Sequence, residues 1–280
     1  MKVIKDGRFE GERSLFASRD LEIHNTVFLE GESPLKESRN IELHSSTFSW
    51  KYPLWYCKDV KVYGCKFLDM ARSGIWYTDG ISMTDVDSDA PKTFRRSKNI
   101  TLRSCTFRNA AEMMWDCSDI VMSDVKIFGD YFGMHAENVT AEELDVEGNY
   151  IFDGGKNIEV NNSRLMSKDA FWNCENVTVR DSVIVGEYLG WNSKNVTFIN
   201  CKIESNQGLC YMQNVKLVNC ELVRTDLAFE YSTVDAEVVT SIDSIKNPIS
   251  GKIRARSIDE VILDGAFVDP EKTEIITEDK

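Results

Sequence analysis

The sequence contains no apolar run approaching the roughly 20 residues that a membrane-spanning helix requires. It also has no cluster of lysines and arginines, and its formal net charge is −13, which argues against binding of nucleic-acid phosphates. Hydrophobic residues make up 42% of the 280 residues, which is too many for a disordered chain. We therefore expect a folded protein that binds neither nucleic acid nor a membrane.

The N-terminal residues, MKVIKDGR, lack the apolar core of a secretory signal peptide, so the expected location is cytoplasmic. In that compartment the eight cysteines are expected to be free thiols and not a disulfide framework. No Cys-x-x-Cys motif and no Cys/His spacing typical of zinc sites is present. The sequence therefore predicts no metal site and no cofactor.

Glycine and proline are scarce, at 16 and 5 residues, and the chain is organised instead by an internal repeat of 19–21 residues. Each unit starts with Asn, Asp or Gly followed by an apolar residue. These first apolar residues are Leu21, Ile41, Val60, Ile81, Ile100, Ile120, Val139, Ile158, Val177, Val196 and Val215. Asn, Asp and Gly tolerate a left-handed backbone, so a sharp bend is predicted there, with the stacked asparagines forming a ladder.

Apolar residues alternate with polar ones in the first two segments of each unit, which is typical of strands. A third segment, which contains Trp172 and Trp191, is interpreted as a further short strand, with both tryptophans expected to point into the core. Three strands and three bends in 19–20 residues predict an all-β, single-stranded, right-handed parallel β-helix of about 12 coils. A leucine-rich repeat is the alternative, but the asparagine before the first apolar residue and the aromatic third segment fit it poorly.

The repeat leaves no room for a second domain. We predict one β-helix domain over residues 1–280, with an N-terminal partial coil or cap over 1–20 and weaker coils or a cap over 236–280. The unit that begins at Ile81 breaks the pattern, because Ser88 stands where other units have an apolar residue. Asp85, Asp87 and Asp89 follow one another at alternate positions there, and Arg95 or Arg96 is a candidate partner for these carboxylates.

Aromatic and acidic residues concentrate in the third segment, which is the pattern expected of a polysaccharide-binding surface. Rings can stack on sugars while amides and carboxylates bind hydroxyl groups. The candidate substrate-binding residues are Tyr131, Tyr150, Tyr188, His135, Asn173 and Asn192. Asp153 and Asp169 are the candidate catalytic pair, because neighbouring coils can bring two carboxyl groups within the about 5–9.5 Å that glycoside hydrolysis needs. An equally simple interpretation is that the tyrosines and acids form an ordinary solvated face.

His24 and His44 occupy the same outward position in neighbouring units, but no carboxylate is expected to join them, so we interpret them as an exposed stacked pair. Four cysteines, Cys65, Cys105, Cys201 and Cys220, fall at one small-residue position of the core. Cys201 and Cys220 would stack close enough for a disulfide, and we predict that they are reduced.

The stacked coils resemble the right-handed parallel β-helix of pectate lyases and polygalacturonases. The segments 31–37 (GESPLKE), 50–56 (WKYPLWY), 169–176 (DAFWNCEN) and 186–193 (GEYLGWNS) resemble an uncharacterised bacterial family of pectin-lyase-like proteins without an assigned function. This resemblance extends over essentially the full length. It implies the fold and supplies no catalytic residue.

We therefore expect a carbohydrate-related β-helix protein that binds or modifies a glycan along its aromatic and acidic face. The alternative is a non-catalytic scaffold whose long face docks a protein partner. Exposed aromatic patches are also typical of interfaces, so a homo-oligomer is compatible with both hypotheses.

Overall fold

The computed structural model describes residues 1–278, so the last two residues of the predicted C-terminal segment 236–280 lie outside the described part. The chain divides into two compact units, Met1–Asp145 (unit 1) and Val146–Lys280 (unit 2), and each is described by itself. Between residues 1 and 278 the only helix is a single 3-10 turn, η1 (Pro270–Lys272). In this part of the chain no helix has the length and apolarity needed to cross a membrane.

The remaining regular structure consists of short strands. In chain order they are β1 (Lys2–Lys5), β2 (Arg8–Phe9), β3 (Arg19–His24), β4 (Val27–Phe28), β5 (Arg39–His44), β6 (Thr47–Phe48), β7 (Lys58–Tyr63), β8 (Lys66–Phe67), β9 (Ile75–Trp76), β10 (Asp79–Thr84), β11 (Asp87–Ser88), β12 (Phe94–Arg95), β13 (Lys98–Phe107), β14 (Ser118–Phe128), β15 (Glu137–Glu147), β16 (Lys156–Asn161), β17 (Arg164–Met166), β18 (Glu175–Arg180), β19 (Val183–Val185), β20 (Lys194–Ile199), β21 (Lys202–Glu204), β22 (Gln213–Leu222), β23 (Thr233–Val238), β24 (Ile242–Lys246), β25 (Ser250–Ala255), β26 (Ile258–Ile262) and β27 (Thr273–Thr277).

In unit 1 the first segments of successive coils pair in parallel, in the order β1, β3, β5, β7, β10, β13, β14. The register places Leu21 beside Ile41 and Ile41 beside Val60, as the repeat predicts. The second segments, β2, β4, β6, β8 and β11, form a second parallel face that continues into β13. Equivalent residues of neighbouring coils therefore lie beside each other along the unit.

Unit 2 repeats this arrangement. Its first face runs through β16, β18, β20, β22, β23, β25 and β27, and β17, β19 and β21 form the second face, which joins β22. Fifteen strands start a coil between residues 1 and 278, more than the predicted 12, because the N-terminal segment and the weaker C-terminal repeats also form coils. The predicted all-β parallel β-helix is confirmed.

Like side chains stack on like inside the coils. In unit 1 the rings of Phe28, Phe48 and Phe67 form a buried row with centroid separations of 4.6 and 4.9 Å. Burying each such side chain stabilises the fold by about 1.5–3 kcal/mol relative to leaving it exposed. The stack therefore rests on apolar contacts between nearest-neighbour coils.

The bend residues before the first segment adopt left-handed backbone conformations and hydrogen-bond from coil to coil. Asn195 donates its Nδ2 hydrogen to Asn176 Oδ1 at 3.0 Å, and Asn214 donates to Asn195 Oδ1 at the same distance. The bend between the first and second segments is also bridged from coil to coil, because Asn219 Nδ2 donates to Asn200 Oδ1 at 2.9 Å. These side chains satisfy one another where neighbouring coils turn.

The third segment departs from the predicted strand. In unit 2 its backbone has positive φ at every second residue, for example 59° at Asp169, 56° at Phe171 and 54° at Asn173. The backbone N–H groups still bond to neighbouring coils, because Phe171 N donates to Ile151 O and Asn173 N to Trp191 O, both at 2.9 Å. Apolar alternation is typical of strands, but here it accompanies a string of turns.

All eight cysteines are free and buried, and the four at the small-residue position lie in the core as predicted. Burial raises the pKa of the Cys57, Cys117 and Cys210 thiols to about 12 and that of Cys65 to about 11. Since the thiolate is the reactive species, these groups are inert in the folded protein.

We expect the native protein to react very slowly with a disulfide reagent such as DTNB at pH 8, and the unfolded protein to titrate eight thiols. The measurement compares freshly purified protein in buffer and in guanidinium without reductant. A count of six in guanidinium would contradict the prediction and would indicate a disulfide between Cys201 and Cys220.

Candidate functional site

The third segments of unit 2 carry most of the candidate site residues on neighbouring coils. They run between β15 and β16, between β17 and β18, and between β19 and β20. Their parallel stacking holds Asn173 beside Asn192, because the Asn173 N–H donates to the carbonyl of Trp191. Side chains at equal positions are therefore about 4.8 Å apart along the stack.

Asp153, Asn173 and Asn192 form one hydrogen-bonded row. Asn173 Nδ2 donates to Asp153 Oδ1 at 2.7 Å, and Asn192 Nδ2 donates to Asn173 Oδ1 at 2.8 Å. Both asparagines are exposed and have left-handed backbones, so the row stabilises a bend and also presents polar groups to solvent. Three residues selected as separate candidates thus act as a single polar line.

Asp169 is only 2% exposed. Burial raises the pKa of its carboxyl group, while a hydrogen bond from the Tyr150 side chain opposes the shift. The neighbouring Lys168 favours the charged form, and the carboxylates of Glu187 and Asp153 disfavour it. Asp169 is therefore a shielded carboxyl group bound to a tyrosine, and Asp153 is a half-buried carboxylate bound to an asparagine.

The tryptophans of unit 2 lie on the surface, so the expectation that Trp172 and Trp191 point into the core is wrong. Both are half-buried, and their rings stack at 5.5 Å with 13° between planes. The Trp172 indole N–H donates to the carbonyl of Tyr188 at 2.7 Å. The turn-rich backbone instead directs Ala170 and Phe171 into the core in the coil of Trp172, and Leu189 in the coil of Trp191.

The stack continues beyond Trp191 into two tyrosines. Tyr211 contacts Trp191 at 5.0 Å, and Tyr231 contacts Tyr211 at 5.5 Å. We call Trp172, Trp191, Tyr211 and Tyr231 the aromatic row of unit 2. The candidate tyrosines flank it edge-on: Tyr150 lies 6.0 Å from Trp172, and Tyr188 lies 5.6 Å from Trp191.

The structure places the other two candidate residues, Tyr131 and His135, in unit 1. Tyr131 is 38% exposed, and its carbonyl accepts a hydrogen bond from the Trp115 indole at 2.7 Å. His135 is exposed, with Nδ1 3.2 Å from Asp116 Oδ1. The six candidate residues in unit 2 therefore belong to one surface, and Tyr131 and His135 belong to unit 1.

Unit 1 contains an aromatic stack that was not among the predicted site residues. Trp55 and Trp76 stack at 5.2 Å, and the Arg95 guanidinium lies between Trp76 and Trp115, at 4.7 and 4.6 Å from their ring centroids. Arg95 also pairs with Glu112 at 2.9 Å, and not with the Asp85–Asp89 carboxylates as expected. Asp87 and Asp89 instead pair with Arg108. The signal was available, because tryptophan or arginine recurs at one position of consecutive coils.

On the first face of unit 1, His24 and His44 stack at 4.5 Å with 8° between their planes, as predicted. The expectation that no carboxylate joins them is wrong. Glu22 and Glu42 lie two residues earlier on the same outward face, and Glu22 Oε1 is 2.7 Å from His24 Nε2. Glu22, His24 and His44 are a candidate group of metal ligands.

Solved structures of similar fold share little sequence with the chain. The surface adhesin PfbA of Streptococcus pneumoniae is 10% identical over 77% of this chain and 71% of its own, with a TM-score of 0.44. The mannuronan C-5 epimerase AlgE4 A-module of Azotobacter vinelandii is 10% identical over 98% and 87%, with a TM-score of 0.33. The tailspike protein of E. coli bacteriophage HK620, solved with a pentasaccharide, is 10% identical over 97% and 65%, with a TM-score of 0.34. Likeness at this level transfers no function.

No curated protein matches the sequence significantly. One family profile, described as protein of unknown function (DUF3737), matches residues 2–276. The predicted membership of a β-helix family without an assigned function is thereby confirmed. Because the match covers nearly the whole chain, the protein belongs to the DUF3737 family of proteins of unknown function.

Proposed function

We propose that unit 2 binds a glycan along its aromatic row and the adjoining Asp153–Asn173–Asn192 row. The observation that carries the proposal is the combination of these two rows, one aromatic and one polar, on the third segments of successive coils. A linear glycan offers the matching chemistry, since its sugars alternate apolar ring faces with hydroxyl groups.

The aromatic side of this surface consists of ring edges and partly exposed rings. Within the stack, Trp172 and Trp191 cover each other's faces, so their outer edges are the parts that a ligand can meet. Tyr211 is 42% exposed at the end of the tryptophan pair. Tyr150 and Tyr188 stand edge-on beside the stack and add two phenol groups within reach of a ligand. A sugar ring would lie across these edges in van der Waals contact.

The polar side supplies hydrogen-bonding groups in a fixed direction. Each exposed asparagine amide uses one N–H in the row and keeps a second N–H for a ligand, because an amide NH₂ has two donors. The row is held by its own hydrogen bonds, so little side-chain entropy is lost when a hydroxyl group binds. Lys168 and Glu187, paired at 3.3 Å, add charged groups at the border of the surface.

Binding without cleavage fits the two acids better than glycoside hydrolysis. Asp169 is too buried to meet a substrate and is occupied by Tyr150, and Asp153 is bound by Asn173. In this proposal both carboxyl groups orient other side chains. The pectin-lyase-like likeness would then concern the fold, with the sugar-binding surface as a separate property of this chain.

The test is a glycan array followed by calorimetry on any hit, with the full chain and the Tyr150→Ala/Tyr188→Ala variant. We expect the wild type to bind at least one linear acidic or neutral polysaccharide, and the double variant to bind at least about fivefold more weakly, as expected for the loss of two aromatic contacts worth about 0.5–1.5 kcal/mol each. Tyr63→Ala is the matched control, because Tyr63 is an exposed ring on the first face of unit 1.

Equal weakening by Tyr63→Ala would point to a general loss of stability. Absence of any glycan ligand, or unchanged binding by the double variant, would remove the proposal and favour the scaffold hypothesis. Asn173→Asp is a second variant that keeps the size of the side chain while replacing the amide donors. It is expected to weaken glycan binding, because the ligand-facing N–H is lost.

A further inference from the structure

We propose that Glu22, His24 and His44 form a binding site for Zn²⁺ on the first face of unit 1. The site is independent of the glycan surface, which lies in unit 2. Neither the repeat nor the family match assigns a role to these residues.

The site is built by the register of two parallel strands. In β3 and β5, Glu22 pairs with Glu42 and His24 pairs with His44. Residues two apart on a strand share a face, so all four side chains project outward together. The backbone therefore brings two imidazoles and two carboxylates together without any irregular loop, on strands that are held on both sides by β1 and β7.

The ligand atoms already converge. One atom each from Glu22, His24 and His44 lies within 4.8 Å of the other two. Ligands of a tetrahedral zinc ion with bonds of about 2.0–2.1 Å are separated by about 3.3 Å, so a closure of roughly 1.5 Å is needed. Rotation about the side-chain torsions provides this, since all three residues are only half-buried.

The Nε2 atom of His44 has no hydrogen-bond partner among the described residues, and a metal ion would give it a bonding partner. This atom is also shielded from solvent. The Glu42 Oε2 atom is 3.8 Å away, beyond hydrogen-bond distance. Shielded polar atoms are usually satisfied, so an orphaned ring nitrogen directed at a carboxylate and a second imidazole points to an absent ligand.

The fourth residue has a different role. Glu42 Oε1 is held by Lys61 Nζ at 2.8 Å, and this hydrogen bond holds the pKa of the Glu42 carboxyl group below its usual value. Glu42 is thus paired with Lys61, and its second oxygen lies 3.8 Å from the His44 Nε2 atom, where it adds negative charge beside the proposed ion.

Two imidazoles and one carboxylate select the type of ion. Ca²⁺ and Mg²⁺ prefer sites composed of oxygen atoms, whereas Zn²⁺ takes imidazole nitrogen together with carboxylate oxygen. Three protein ligands leave a fourth position for water, as in open zinc sites. The ligand set therefore fits Zn²⁺, with Co²⁺ as a spectroscopic substitute.

The test measures ZnCl₂ binding to the full chain, previously treated with EDTA, by competition with a chromophoric chelator. Two variants, His24→Phe and His44→Phe, remove one ligand nitrogen each while keeping the ring stack, and Tyr63 shows that the next ring in this stack need not be histidine. We expect one Zn²⁺ per wild-type chain. Each variant should bind more than about 100-fold more weakly, since even outer-shell partners of a metal cost about 10–100-fold.

His135→Phe is the matched control, because His135 faces a single carboxylate, that of Asp116. It should bind Zn²⁺ as the wild type does. Glu22→Gln, a nearly isosteric change, should weaken binding by about tenfold or more. With Co²⁺ the wild type should give the intense visible bands of a tetrahedral site, and both histidine variants should lose them.

Absence of zinc binding by the wild type would overturn the proposal. So would stoichiometric binding that survives His24→Phe and His44→Phe, since the ion would then be bound elsewhere. Circular dichroism and thermal unfolding of each variant establish that it is folded. If a phenylalanine variant fails to fold, Glu22→Gln and the Co²⁺ spectrum decide the question.

Discussion

Replacement of Gly186 by alanine is expected to destabilise the protein by at least about 3 kcal/mol, the sum of typical overpacking and backbone-strain costs. A Cβ atom at Gly186 would lie 1.9 Å from the carbonyl oxygen of Ser167 and 2.4 Å from its carbonyl carbon. These are backbone atoms of the neighbouring coil, so the clash cannot be relieved by turning a flexible side chain.

Hydrogen bonds fix both coils at this point. Ser167 N donates to Val185 O, and Asp169 N donates to Glu187 O, both at 2.9 Å. The close approach also recurs, since a Cβ at Gly31 would lie 2.1 Å from Gly11 O. Both glycines follow the end of a second segment, β4 for Gly31 and β19 for Gly186. Glycine is therefore required at these two positions, where a side chain has no room.

Guanidinium unfolding followed by circular dichroism measures the effect. Gly265→Ala is the control, because a Cβ there meets no atom within 4 Å, and its free energy of unfolding should stay within about 0.5 kcal/mol of the wild type. If Gly186→Ala and Gly265→Ala unfold at the same denaturant concentration, the close approach at Gly186 is not a constraint on stacking.

The first two segments of each coil could be predicted from the sequence almost residue by residue. Their apolar positions alternate with period two, and parallel stacking in register repeats every position, so one unit predicts the next. Leu21, Ile41 and Val60 are buried and paired as the alignment of units indicates. Local pattern and global fold agree here, which makes the inference strong.

The third segment could not be predicted in the same way. Its side chains also alternate, but the backbone reaches this alternation through left-handed residues such as Tyr188 and Asn192. These residue types carry only a weak preference for positive φ compared with glycine, so the sequence holds little sign of the turns. The exposure of Trp172 and Trp191 follows from that backbone and was therefore missed.

The residue types of the candidate site could be predicted from the sequence, but their arrangement could not. The sequence indicates that tyrosines, tryptophans and acids share one segment, and the structure adds which of them bind each other. Asn173 connects Asp153 to Asn192, whereas Asp169 is buried against Tyr150. The carboxylates beside His24 and His44 come from same-strand neighbours at i−2, which the coil-to-coil stack of the histidines does not by itself indicate.

Replacement of Phe94 by alanine is expected to cost about 3–5 kcal/mol, the range for removing a fully buried phenylalanine side chain. Phe94 is completely buried in β12, and its ring lies 6.2 Å from that of Phe107, at 67°. The loss should be visible as a large shift of the guanidinium midpoint, again followed by circular dichroism.

The size of this effect follows from the irregular coil that contains Ser88. By register Ser88 stands between Phe67 and Phe107, so it interrupts the phenylalanine row of the second face with a small polar residue. Ser88 is nevertheless buried, and it accepts a hydrogen bond from Ala90 N at 3.3 Å. In the same coil the third segment carries Phe94 where the previous coil has the smaller Ile75. The Phe94 ring thus reaches the second-face row at Phe107, beside the gap that Ser88 leaves.

This exchange of volume predicts coupling between the two positions. Ser88→Phe alone should destabilise by about 1–3 kcal/mol through overpacking against Phe94. Ser88→Phe combined with Phe94→Ala should be less destabilising than the sum of the single changes, by about 0.5–3 kcal/mol, the range for residues that share one cavity.

Phe48→Ala with Phe94→Ala is the control pair. These two residues lie two coils apart, about 10 Å along the stack, and their effects should add. Strict additivity of Ser88→Phe and Phe94→Ala would contradict the exchange, and Ser88 would then be a tolerated gap in the row instead of one half of a compensating pair.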